Sequence, residues 1–112
     1  MTFQLGAALL DACVLAALAQ GDAYGYVLTQ RVKQTMDISE STLYPVLRRL
    51  QRDGCLATYD QPFQGRNRRY YHLTEDGARR LAETRSEWDG YKKRVDEMLS
   101  GGKADGKKTV SL

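Results

Sequence analysis

Several residue types are scarce in this chain of 112 residues, and each scarcity closes off a class of explanation. There are only two cysteines, Cys13 and Cys55, in no C-x-x-C pair. A disulfide scaffold and a cysteine-based zinc site are therefore not expected, and two reduced thiols inside a cytoplasmic protein are. His72 is the single histidine. No serine or cysteine has a histidine and an acid spaced to activate it, and no glycine-rich loop is set to cradle phosphate. The expectation is thus no catalytic residue, no metal and no cofactor. Residues 1–30 hold Asp11 and Asp22 but no lysine or arginine. They lack the basic start of a secretory leader, and no run reaches the roughly 18 apolar residues that cross a membrane.

Where the basic residues do appear is more telling than their sum. The formal net charge is only +3. Residues 31–71 carry eight basic and four acidic side chains, whereas residues 1–30 are at −2. The positive charge gathers in the middle of the chain, as on a protein with one face for an anionic partner.

That middle holds the stretch around which the rest is arranged, Ile38 to Gly54. Leu43, Val46, Leu47 and Leu50 recur at i, i+3, i+4 and i+7, one face of a helix. Ser39 or Ser41 can cap its start, and Gly54 can end it in a left-handed conformation. The opposite face presents Ser41, Thr42, Tyr44, Arg48, Arg49 and Arg52. Small hydroxyls at a helix start suit base edges and phosphates, and arginines further along suit phosphates. A solvated basic face is the plainer alternative. Pro45 has no N–H and crowds the carbonyl four residues back, so either the first turn is distorted or the regular helix begins near Thr42.

Around this helix the pattern completes a small domain. Leu5 to Ala19 reads as a helix that is apolar nearly all round, needing cover on more than one side. After Gly21, a second helix runs to about Met36 with Val27, Leu28, Val32 and Met36 on its stripe. Gly25 at its start suggests a close backbone approach. Two short helices and a tight turn give the helix-turn-helix arrangement. Residues 56–61 and 68–73 read as strands, joined by a turn over residues 62–67. Its tip crowds Arg66, Arg68 and Arg69, which repel one another unless an anion is near; a plain solvated turn is the alternative.

From Thr74, a capping residue followed by Glu75 and Asp76, a helix runs to about Leu99. Ala78, Leu81, Trp88, Tyr91, Val95 and Met98 form a narrow seam interrupted by Arg85, the pattern of a helix that packs on a helix. A domain of this size cannot cover such a length, so a homodimer is expected, with the first helix alongside. The fold class expected is mainly α with a small β-hairpin. It divides into a winged helix-turn-helix domain (1–73), a long C-terminal dimerisation helix (74–100) and a disordered tail (101–112).

Tyr24-Gly25-Tyr26, then Ser39 to Leu50, then Gly65 to Thr74, together resemble the PadR family of bacterial transcriptional regulators. The resemblance covers about residues 5–99 and is nearest to the short subfamily with one C-terminal helix. Ser41 stands where glycine is common, Cys55 replaces a larger apolar residue, and Asn67 sits in the wing. The resemblance implies a homodimeric repressor on double-stranded DNA. It puts Ser39, Ser41, Thr42, Tyr44 and Arg48 at the major groove and Tyr24 and Tyr26 at the backbone. It puts the wing of Gly65, Arg66, Asn67, Arg68 and Arg69 at the minor groove. In multidrug-responsive members similar to this chain, a tryptophan on the last helix stacks planar drugs at the dimer centre; Trp88 matches its place, and simple interface packing is the alternative. Around it Ala8 and Ala12 leave room for such an effector, and Asp11 would attract a cation. A winged-helix module that binds an acidic protein is the rival reading from another class.

Overall fold

The core is assembled from the stripes that the helices present to one another. In this computed structural model, which describes residues 6–101, the elements run α1 (Ala7–Ala19), β1 (Ala23–Tyr24), α2 (Gly25–Lys33), α3 (Glu40–Arg52), β2 (Leu56–Phe63), β3 (Arg66–Leu73) and α4 (Glu75–Leu99). Val14, Leu15 and Leu18 of α1 meet Leu28 and Val32 of α2 and Leu43, Leu47 and Leu50 of α3. Leu56, Tyr71 and Leu81 close the cluster. Removing these side chains from water is the main force that holds the domain together. The architecture is mainly α with a small antiparallel sheet, as expected. Leu5 and the tail beyond Gly101 lie outside the described residues.

α3 is one continuous helix in spite of Pro45. Ser39 is its cap, and its hydroxyl accepts the Thr42 N–H at 3.3 Å. The proline lies in the second turn, so only the Ser41 carbonyl loses its partner, on the exposed side of the helix. At the other end the Cys55 N–H reaches the Leu50 carbonyl and the Gly54 N–H reaches that of Gln51. Gly54 has φ 82°, the left-handed conformation this closure needs.

The sheet differs from the expected hairpin in two ways. It has three strands in the order β1-β3-β2, with Ala23 opposite Tyr71 and Tyr24 opposite Tyr70. A two-residue strand is too short to show any periodicity. The hairpin is also longer than its residues suggest. Pro62 pairs with Asn67 and Phe63 with Arg66, so the turn is only Gln64-Gly65. Both turn residues have positive φ (52° and 80°), which matches the twist of the flanking strands. Pro62 is tolerated because β2 is an edge strand.

α4 starts under tight constraint. Thr74 caps it, accepting the Gly77 N–H at 3.0 Å while donating to the Gly54 carbonyl at 2.7 Å. A Cβ on Gly77 would stand 2.2 Å from the Cys55 carbonyl oxygen, so only glycine fits. Leu81, expected on the dimer seam, is instead buried in the core of its own chain, because α4 packs on α1 at this end. Beyond it the helix leaves the domain, and the molecule measures 66 × 31 × 20 Å. Thr84, half-buried, holds the seam position where the exposed Arg85 had marked an interruption. Trp88 and Val95 are half-buried; Tyr91 and Met98 are exposed.

Candidate nucleic-acid interface

The start of α2, Tyr44 of α3 and the Arg68 to Tyr71 stretch of β3 meet around one depression. The start of α3 is a cluster of hydroxyls. Ser39 Oγ lies 3.0 Å from Ser41 Oγ and 3.2 Å from Thr42 Oγ1, and all three residues are exposed. Each hydroxyl can donate or accept, so the cluster can adapt to base edges or phosphate oxygens. About two turns further on, Arg48 is exposed and makes no ion pair among the described residues.

Tyr44 leaves this row. It is half-buried, and its hydroxyl would be 2.8 Å from a Cβ on Gly25. The close approach expected at Gly25 is thus its contact with Tyr44. Tyr44 and Gly25 line a depression of about 340 Å³ with Tyr24, Tyr26, Arg68, Arg69 and Tyr71. The first residues of α2 lie at this depression, and Tyr24, its N-cap residue, supplies no side-chain cap. A helix start beside arginines and tyrosine hydroxyls suits a phosphate. Tyr26 is 59% exposed beside them.

The wing arginines do not form the single crowded tip that the sequence suggests. Alternate residues of a strand face opposite sides, and here that separates them. Arg68 lies on the outer face, 4.5 Å from the Tyr24 ring centre and 4.9 Å from that of Phe63. Its Nε is buried with no hydrogen-bond partner among the described residues. Arg69, on the other face, stands 3.9 Å from Asp60 across the ladder. Arg66 and Asn67 flank the Gln64-Gly65 turn and are exposed.

An aromatic row continues along the outer face of the sheet. Tyr59 stacks on Tyr70 at 5.5 Å and 10°, and Tyr70 meets Tyr24 edge-on at 5.6 Å. At its end, Asp22 accepts from the Tyr59 hydroxyl at 2.7 Å and lies 2.9 Å from His72 Nδ1. The Tyr59 and then the His72 hydrogen bond hold the Asp22 carboxyl below its ordinary range; the same contact raises the Tyr59 hydroxyl. His72 therefore ties the sheet to the loop after α1. Nothing in the local sequence pattern marks that link, since the two residues lie 50 apart.

Two expected site residues prove to be partners of each other. Arg49 does not face the same way as Arg48. Its Nη1 and Nη2 reach both carboxylate oxygens of Asp11, at 2.8 and 2.7 Å. Asp11, expected to draw a cationic ligand towards Trp88, already holds this cation of its own chain. Ala12 packs against the core, and Ala8 is exposed. Trp88 has Tyr91 beside it, at 6.1 Å between rings. Arg31 donates to the Ala17 and Gly21 carbonyls at 3.0 and 2.7 Å and closes the end of α1.

Residues 14–83 match the Transcriptional regulator PadR-like family, and the chain belongs to that family. The chain is similar to smu.1704 from Streptococcus mutans UA159, whose crystal structure shares 42% identity and a TM-score of 0.83. That match covers 90% of this chain and 95% of that one. A PadR family transcription regulator from Clostridium difficile R20291 superposes with a TM-score of 0.75 at 28% identity, over 80% of this chain and 97% of that one. Transcriptional regulator Rv3488 of Mycobacterium tuberculosis H37Rv is 37% identical over 73 residues, 64% of this chain and 68% of its own. The chain is thus a PadR-like transcriptional regulator, a class that works through DNA. No helix among the described residues is long and apolar enough to cross a membrane.

Proposed function

We propose that the chain acts in the cytoplasm as a homodimeric repressor of an inverted-repeat operator, with no catalytic step. In this reading residues 1–73 bind DNA and α4 joins two copies. One observation carries it: the exposed hydroxyls of Ser39, Ser41 and Thr42 stand about two turns from Arg48 on α3, which has no ion pair among the described residues, while the core side of that helix is wholly buried. The hydroxyls and Tyr26 would meet base edges and backbone in the major groove. The turn bearing Arg66 and Asn67 would reach the adjoining minor groove. Tyr24, Tyr44, Arg68 and Arg69 would seat a phosphate at the start of α2.

Two-fold symmetry asks for a symmetric site, with half-site centres about one helical turn apart. Selection from a random duplex library tests this. The expected result is an inverted repeat whose affinity falls steeply with salt, because bound phosphates release their counterions. Equal affinity for scrambled duplexes would overturn the reading and favour an acidic protein partner instead. A reporter that rises when the gene is deleted would mark repression; one that falls would mark activation.

The partly exposed Trp88 beside Tyr91 favours one addition. A flat aromatic molecule would stack between Trp88 and its symmetry mate and change the angle between the two halves. It would release DNA only if it bound the two dimer shapes unequally. Asp11 plays no part in this, since Arg49 occupies it. Trp88 is the only tryptophan, so its fluorescence reports directly. Quenching by flat dyes that leaves operator affinity unchanged would remove the effector from the proposal.

A further inference from the structure

We propose that Asp11 and Arg49 are positioning residues that lock α3 to α1, and so set the separation of the two recognition helices on DNA. The inference rests on reading α3 as the DNA-reading helix. Four observations support it. The pair is bidentate, with two bonds of 2.7 and 2.8 Å, and a fork-to-carboxylate fit fixes orientation as well as distance. It joins elements 38 residues apart, the side of the domain against which α4 packs and the helix that would read bases. Asp11 is the only charged residue of α1, and its side chain is 14% exposed, so the carboxylate is poorly served by water and needs its partner. Finally, a second charged contact lies close by: Arg80 of α4 stands 3.5 Å from Asp53 and donates to Cys55 Sγ at 3.4 Å, just past the end of α3. The C-terminal end of α3 is thereby held from both α1 and α4, while its N-terminal end is left free to meet a partner.

α3 has 13 residues, a length of roughly 20 Å at about 1.5 Å per residue. A swing of about 10° about its C-terminal end moves its hydroxyl tip by roughly 3 Å, close to one base-pair step. Two copies swinging independently would blur the half-site spacing. Arg49 therefore contributes to selectivity for spacing without touching phosphate, unlike Arg48 one residue before it.

The test uses the full chain and the duplex recovered by selection with that chain. One base pair is inserted into or removed from the spacer, and affinity is measured across a salt series. The unaltered chain should lose about tenfold or more for each step. Asp11→Asn and Arg49→Gln should each flatten that loss to about threefold or less, the double variant should do no more than either single one, and the salt slope should stay unchanged. The swap Asp11→Arg with Arg49→Asp should restore part of the spacing selectivity, which separates a specific pair from a general weakening of the fold. Variants that keep the unaltered spacing profile overturn the inference. So does a salt slope that falls by about one for Arg49→Gln alone, for then Arg49 binds phosphate. If the unaltered chain selects no duplex, the reading of α3 fails, and this inference falls with it; spacing data from a chain that does select DNA judge the inference alone.

Discussion

α3 and α4 each leave one face uncovered, and the two faces are of opposite kinds. α3 buries all four residues of its stripe within its own chain and turns hydroxyls and Arg48, unpaired among the described residues, to solvent. α4 buries Gly77 and Leu81 in its first two turns and then carries Trp88, Tyr91, Val95 and Met98 out of the domain with incomplete cover. A polar face in water needs no explanation by itself. An exposed aromatic and aliphatic stripe does, because it is the side of a helix that water disfavours. The contrast teaches where to look for each partner: a hydrated, charged one at α3, and an apolar one, such as a second copy, along α4.

The comparison can be broken hardest at the root of α4. Gly77→Ala places a methyl group against the Cys55 carbonyl and should cost about 3 kcal/mol or more, lowering Tm by more than about 10 °C in thermal unfolding. On a free helix the same change would stabilise by about 1 kcal/mol. A raised Tm would therefore show that the start of α4 is not clamped. Next, Val95→Glu with Met98→Glu should abolish self-association in light scattering while leaving the helical circular dichroism and Tm of the remaining domain nearly intact. Leu81→Glu should instead unfold the domain, because Leu81 is only 7% exposed within one chain. Equal behaviour of the two substitutions would erase the distinction between the halves of α4.

On the side of α3, Thr42→Ala should change which duplex is selected, at about 1–3 kcal/mol per altered base pair. Arg48→Ala and Arg66→Ala should weaken all sequences alike and reduce the salt slope by about one each. The smallest effect concerns Asp22. Its carboxyl sits below the ordinary 3.8, so it stabilises the fold above that pH, and the contribution fades as pH falls from there through the folded value. Asp22→Asn should lower Tm slightly at pH 7, leave it little changed at the acid end, and so flatten the acid limb of Tm against pH.

What could be read in advance follows how local each signal is. The α3 stripe, its Ser39 cap, the Gly54 stop and the Thr74 cap are all set by residues within about two turns of one another. The winged arrangement followed from those elements, and the family resemblance from the residue strings at Tyr24 to Tyr26, Ser39 to Leu50 and Gly65 to Thr74. The pairing of β1 with β3 could not be read, because two residues carry no period. The fate of Arg49 was equally hidden. By spacing it belongs with the basic residues of α3, and only the fold brings it to Asp11. One clue was present: a single acid in an apolar helix needs a cation, and the nearest source is the protein itself rather than a ligand. Leu81 was misplaced for the converse reason. A seam of constant spacing does not say where along its length the helix leaves its own domain.

Whether a second copy covers the bare stripe of α4 is decided by sedimentation equilibrium of the full chain at micromolar concentration. The expected mass is twice 12.6 kDa, falling to one chain with Val95→Glu and Met98→Glu; a mass of 12.6 kDa for the unaltered chain would rule the homodimer out.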